Sequence, residues 1–196
     1  MKLNDDIEFS KEWLALEKCY FRILTMVTVL ADQNRAYRGT LKNFCSELGI
    51  QNSSLNRENI KVSLNALAEK GYLKFEIDKS IFVIYLTAAA EKNKDIKKIK
   101  RAWYELIRNS NSEASWENVL KVFLAIFEIP SDEIITYEKI GNSAGISSTT
   151  VSRCIKTICS IKFDSKMLMR ETKKEKLVDG KYITLGQTYS WGYNWE

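Results

Sequence analysis

The chain has 196 residues, 45% of them hydrophobic and 28% charged, and its 30 Lys and Arg exceed its 25 Asp and Glu to give a net charge of +5. It contains one Pro, eight Gly and no His, which excludes His-based triads and argues against a long disordered segment. That length holds one or two small domains with cores of their own.

Residues 1–18 read as an N-terminal arm with acidic Asp5, Asp6 and Glu8. Tyr20, Ile23, Leu24, Val27 and Leu30 then recur at helical spacing over 19–32. Thr40 is placed to cap a short helix that Gly49 ends. A third helix over 57–70 turns Ile60, Leu64 and Leu67 inward and stops at Gly71. From 72 to 86 the chain becomes β-branched and aromatic, and Asp78-Lys79-Ser80 breaks it into the halves of a hairpin.

Ile96, Ile99, Trp103, Leu106 and Ile107 mark one face of a linker helix over 88–109. A helix of about 20 residues spans about 30 Å, enough for a strut. Lys92, Lys94, Lys97, Lys98, Lys100 and Arg101 surround the stripe as a solvated face.

The order of elements then repeats. Trp116, Val119, Leu120, Phe123 and Phe127 share a helical face, Thr136 is placed to cap a helix reaching Ala144, and Ser147 or Ser148 a helix to about Ser160. Two strands are expected over 166–173 and 181–191, around a charged tip containing Lys174, Glu175, Lys176 and Asp179-Gly180. In the last strand Ile183, Leu185 and Tyr189 read as core, with Trp191, Tyr193 and Trp195 continuing the same face. The third helices align at Ile60, Leu64, Leu67 and Val151, Ile155, Ile158, whereas Gly49 and Gly145 align five residues out of step. The first unit therefore carries extra residues near 51–56.

Residues 137–158 hold the most informative pattern. Ile140, Ala144, Ile146, Val151 and Cys154 fill the angle between two short helices, Gly141 lets them approach, and Gly145 supplies a positive φ. Ser147, Ser148, Thr149, Thr150, Ser152, Arg153 and Lys156 remain on the outside. Hydroxyls and cations at the start of a second helix are the groups that meet phosphates and base edges in a major groove. The segment resembles a helix-turn-helix, and residues 19–191 resemble the tandem winged-helix DNA-binding proteins, such as those of plasmids, phages and conjugative elements.

That resemblance implies an α+β, mainly α chain: an arm (1–18), a first winged helix (19–87), a helical linker (88–112) and a second winged helix (113–196). It implies a double-stranded DNA-binding protein, a transcriptional regulator or mobile-element accessory factor. The alternatives are a plasmid or phage replication initiator and a winged-helix protein-interaction module. In the first unit the matching face holds Asn56, Arg57, Asn59, Lys61, Ser63 and Asn65, diluted by Glu58 and Glu69. The second hairpin brings Arg170, Lys173, Lys174, Lys176 and Lys181, mixed with Glu171, Glu175 and Asp179. Two unlike units imply a non-palindromic site gripped by one chain, with a homodimer or other protein partner as a further expectation.

Residues 23–31, the longest apolar stretch, contain Thr25 and Thr28 and fall short of the roughly 20 residues that cross a bilayer. No secretory signal is visible, so a cytoplasmic protein without membrane contact is expected. Cys19, Cys45, Cys154 and Cys159 form no C-x-x-C pair, so reduced thiols without metal are expected. No Gly-rich phosphate loop is present, and no enzymatic activity or cofactor is expected.

Overall fold

The computed structural model describes residues 6–78, 81–87, 95–127, 129–163 and 165–192. The fold is α+β, mainly helical, with small sheets. The chain divides into two compact units, Asp6–Ile99 and Lys100–Glu196.

The first unit starts with β1 (Asp6–Ser10) and a 3-10 turn (Lys11–Ala15). Residues 6–15 are therefore no arm. Ile7, Phe9, Trp13 and Leu14 are all buried, and β1 pairs with β5 (Ile96–Lys100). Between them run α1 (Lys18–Leu30), β2 (Ala36–Thr40), α2 (Leu41–Glu47), α3 (Ser54–Glu69), β3 (Leu73–Asp78) and β4 (Ile81–Leu86). The sheet order is β2-β4-β3, antiparallel throughout. Helix α1 packs on β1, β2, β4 and α3 with Phe21, Ile23, Leu24, Met26, Val27 and Val29 buried. Burial of side chains this size stabilises by about 1.5–3 kcal/mol each, so α1 is the keel of the unit.

Capping sets the helix starts. The Thr40 hydroxyl accepts from the Asn43 N–H at 3.1 Å, and the Ser53 hydroxyl accepts from Asn56 at 3.1 Å. Helix α3 thus begins three residues before the expected 57, because Ser53 offers an N-cap further upstream. Counted from Gly49 and Gly145, two of the five additional residues fall before the helix start and three within the helix.

The expected strut is not a continuous helix. Residues 96–100 are a strand because β1 supplies a partner edge for their backbone, and only α4 (Arg101–Arg108) is helical. Residues 88–94, with Lys92 and Lys94, lie outside the described residues. Lys97 is buried, and Lys98 is held by Glu8 at 2.8 Å, which pushes the Lys98 ammonium pKa up through that hydrogen bond. Lys97 thus leaves the expected solvated face, while Lys98 stays on it with its charge offset by Glu8.

In the second unit α4 belongs to the core. Trp103 meets Phe123 and Phe127 edge-on at 5.7 and 5.8 Å between ring centroids, and Trp191 meets the same two rings at 5.4 Å each. Phe123 and Phe127 come from α5 (Trp116–Ile126) and its C-cap. Then follow α6 (Tyr137–Ala144), α7 (Ser148–Ser160), the short pair β6 (Lys162–Phe163) and β7 (Lys166–Met167), and a long hairpin of β8 (Met169–Val178) and β9 (Lys181–Trp191). Helices α5, α6 and α7 pack on one another. The first unit runs through α1, α2 and α3 to the β3–β4 hairpin, and the second through α4, α5, α6 and α7 to the β8–β9 hairpin.

Candidate nucleic-acid interface

Helix α6 begins at the Thr136 cap, whose hydroxyl accepts from the Lys139 N–H at 3.2 Å, and ends at Gly145 in the left-handed region, φ 66° and ψ 35°. The next residue, Ile146, donates its N–H to the Gly141 carbonyl at 3.0 Å. A β-carbon on Gly141 would stand 2.5 Å from the Ile146 carbonyl oxygen. Only glycine fits there without moving backbone. Ile140, Ala144, Val151, Cys154, Ile155 and Ile158 are buried, while Ile146 is half-buried at the outside of the turn.

Seven side chains at the start of α7 were expected to face outward, and the structure separates them. The Ser147 hydroxyl caps the helix by accepting from the Thr150 N–H at 3.3 Å, and it lies 2.9 Å from the Thr150 hydroxyl. Ser152 is half-buried with its hydroxyl in hydrogen-bond reach of Tyr137. Three of the seven are thus occupied in holding the turn. Ser148, Thr149, Arg153 and Lys156 are exposed, and 100° per residue places Thr149, Arg153, Lys156 and Ser160 opposite the buried stripe. That ridge carries two cations and two hydroxyls.

Beside it lies a pocket of about 350 Å³ lined by Asn111, Ser112, Glu113, Arg153, Lys156, Thr157 and Ser160. Ser112 and Thr157 join hydroxyls at 2.7 Å, fixing the segment before α5 against α7. Asn111, Ser112 and Ser160 therefore add polar groups to the ridge that the sequence reading missed. Distance in sequence hid Asn111 and Ser112, whereas Ser160 follows Lys156 by one helical turn on the same face.

The hairpin is tied to the same ridge from behind. Tyr137 at the start of α6 donates its hydroxyl to Glu171 of β8 at 2.7 Å, and Tyr189 of β9 donates to the same oxygen at 3.3 Å. Burial first, then Glu171, pushes both phenol pKa values up. One carboxylate thus locks α6, β8 and β9 together, next to Ser152.

Past that lock the hairpin becomes an arm. At Gly186, where φ is 150°, a β-carbon would stand 2.8 Å from the Ile135 carbonyl oxygen, so the strand there hugs residues 134–135. The register shifts opposite it, between Lys174 and Glu175, and Asp179 and Gly180 make the turn with φ 49° and 73°. Lys174 and Lys176 sit within β8 rather than at a tip, because the turn needs only those two residues. Arg170, Lys173, Lys174, Lys176 and Lys181 are exposed, and Lys173 pairs with Glu175 at 2.5 Å. Ile183 and Leu185, expected in the core, are 49% and 46% exposed because the arm outruns the helices; Tyr189 alone of the three is buried. Tyr193 and Trp195 lie outside the described residues.

The first unit presents a different face. The Asn56 amide donates to the Gln51 carbonyl at 2.8 Å, and Arg57 donates to Asn52 at 3.0 Å and Ser54 at 3.4 Å. Both secure the long turn. Lys61 pairs with Glu58 at 3.6 Å, and Asn56, Asn59 and Ser63 line a cleft against α1. Opposite the buried stripe stand Leu55, Glu58, Val62, Asn65 and Glu69, with Leu55 70% and Val62 58% exposed.

No protein-family model matches the chain, and no curated protein matches it significantly in sequence. Among the described residues no three His, Cys, Asp or Glu side chains gather as a metal site, and no helix is long and apolar enough to cross a membrane. Chemically, the α7 ridge and the arm offer hydrogen-bond donors and fixed positive charge, both of which suit phosphate.

Proposed function

We propose that the chain binds double-stranded DNA through the second unit, as a transcriptional regulator or mobile-element accessory factor, using a winged-helix arrangement. The observation that carries this reading is the α7 ridge, where Thr149, Arg153, Lys156 and Ser160 face outward from a helix whose turn is fixed by Gly141 and Gly145. Arg153 suits bidentate reading of guanine, and the short hydroxyls suit phosphate or base edges. Lys156 with the Asn111–Ser112 pocket suits a backbone phosphate beside the groove. The arm, through Arg170, Lys173, Lys174, Lys176 and Lys181, tracks phosphates along the duplex and adds salt-dependent grip.

The first unit supports a smaller part in this contact. The acidic and aliphatic ridge of α3 repels phosphate where the α7 ridge attracts it, and this favours protein contact there.

The reading is tested by selecting a preferred site from random duplex DNA and titrating it by fluorescence anisotropy. Arg153→Ala is expected to cost about 1–3 kcal/mol on that site and to relax preference at one or two base pairs. Lys174→Ala is expected to weaken every sequence alike. Unchanged affinity in both variants would refute the mechanism.

A further inference from the structure

The polar residues of α3 that face neither the core nor the outer ridge converge on a cleft of about 380 Å³ in the first unit. Its floor is Ile23 of α1, Leu48 and Ile50 of the turn, and Ile60 of α3. Lys18, Cys19 and Arg22 form one wall from the first turn of α1, and Asn56, Asn59 and Ser63 form the other. The volume falls at the lower end of the range for small-molecule sites, which pair an apolar floor with a few convergent polar groups. Two cations and two amides stand at the rim, and no carboxylate lines it among the described residues; Glu17 stands outside, its oxygen 3.9 Å from the Cys19 sulfur.

The geometry points to this cleft as a binding site for a small amphipathic monoanion, a carboxylate carried on a compact apolar body. The floor takes the apolar body, removing it from water. Lys18 and Arg22 meet the carboxylate with charge-assisted hydrogen bonds, which are the stronger kind. Asn59 and Ser63 supply neutral donors on the opposite wall. A cationic head would face Lys18 and Arg22 and be rejected, and a carboxylate without an apolar body would leave the floor uncovered. The site belongs to the first unit and does not depend on DNA being the partner of the second.

The cleft carries its own reporter. Cys19 is the exposed thiol, Cys45 and Cys154 are buried, and burial pushes the Cys154 and Cys159 thiols up to about 12 and about 11. A neutral alkylating reagent therefore reacts first at Cys19. The experiment follows iodoacetamide alkylation of Cys19 on the native full chain by peptide mass spectrometry, with octanoate, acetate and octylammonium as probes. At about ten times its dissociation constant, octanoate is expected to leave about a tenth of sites open and slow Cys19 about tenfold. Acetate and octylammonium leave the rate unchanged. The double variant Lys18→Gln, Arg22→Gln, checked for an unaltered circular dichroism melt, loses the protection, and calorimetric titration of the native chain gives one octanoate per chain. Full Cys19 reactivity with octanoate up to about 10 mM overturns the inference, since binding weaker than about 4 kcal/mol is not a site. Equal protection by octylammonium also overturns it, by assigning the effect to coating of apolar surface.

Discussion

Helices α3 and α7 each follow a turn opened by a left-handed glycine and then diverge. Each comes after a left-handed glycine, Gly49 at φ 68° or Gly145 at φ 66°, and in each case the next isoleucine, Ile50 or Ile146, donates its N–H back to a carbonyl, Cys45 or Gly141, at 3.0 Å. The inward triads, Ile60, Leu64, Leu67 and Val151, Ile155, Ile158, are all buried. Outward, position by position, Glu58, Val62, Asn65 and Glu69 stand where Thr149, Arg153, Lys156 and Ser160 stand in the other unit. Packing constrains the inner stripe of both helices, while the outer stripe answers to whatever each helix touches. One scaffold thus carries two surfaces of opposite electrostatic character.

The largest expected effect falls on the turn itself. Six residues, 48–53, separate α2 from α3, whereas three, 145–147, separate α6 from α7. The tighter turn needs Gly141, where the looser one holds the buried side chain of Cys45. Gly141→Val is expected to destabilise the second unit by about 2–3 kcal/mol through overpacking against backbone. Cys45→Ala is expected to cost about 1 kcal/mol, the loss of one small buried group. Thermal melts of both variants measure the difference, and equal losses would mean that the two turns pack alike.

Next in size is a charge exchange between the ridges. Arg153→Glu is expected to weaken duplex DNA binding by at least about 1–3 kcal/mol, whereas Val62→Glu leaves it within about 0.5 kcal/mol. Anisotropy titrations at one fixed salt concentration compare them. Equal losses would make α3 a DNA-facing helix as well.

A smaller effect comes from pH and acts on both units, since burial also raises the Tyr37, Tyr72 and Cys45 pKa values in the first. Tyr137 and Tyr189 share Glu171 in the second unit, with phenol pKa values raised above the unfolded value of 10.0, and Cys154 and Cys159 are raised above 9.0. A raised folded pKa gives stability that is present below the unfolded value and lost as pH rises towards the folded one. Stability is therefore expected to fall from about pH 9 upward. Tyr137→Phe is expected to cost about 1–2 kcal/mol at neutral pH, through one lost hydrogen bond to a carboxylate, and to flatten the decline above about pH 10. Denaturant titrations across that range follow both effects.

Much of this frame was legible in the residues. Thr40, Thr136 and Ser147 cap the helices the sequence marks, and the apolar triads of α3 and α7 face inward. The short strands were not legible. β1 and β5 have five residues each and owe their conformation to one another, and Ile96, Ile99 and Trp103 are spaced for a helix, whereas the strand turns Lys97 and Ile99 inward. β2 contains Gly39 and gains its place from β4. In the arm, Ile183 and Leu185 alternate like core residues, and only the length of the pairing shows that nothing in the unit covers them. At the candidate site, residue chemistry marked Arg153 and Lys156. It could not reveal that the Ser152 hydroxyl is engaged by Tyr137, or that Asn111 and Ser112 stand beside the ridge, since both depend on packing between distant segments.

The central claim is that phosphate is met by the α7 ridge and the arm, and its most direct test is the salt dependence of duplex DNA affinity. With Lys156, Arg170, Lys174, Lys176 and Lys181 each meeting one phosphate, the logarithm of affinity is expected to fall with the logarithm of salt at a slope of about −4 to −5. Lys174→Ala then reduces the slope by about one. A slope near zero, or one that Lys174→Ala and Lys156→Ala leave unchanged, would contradict the account.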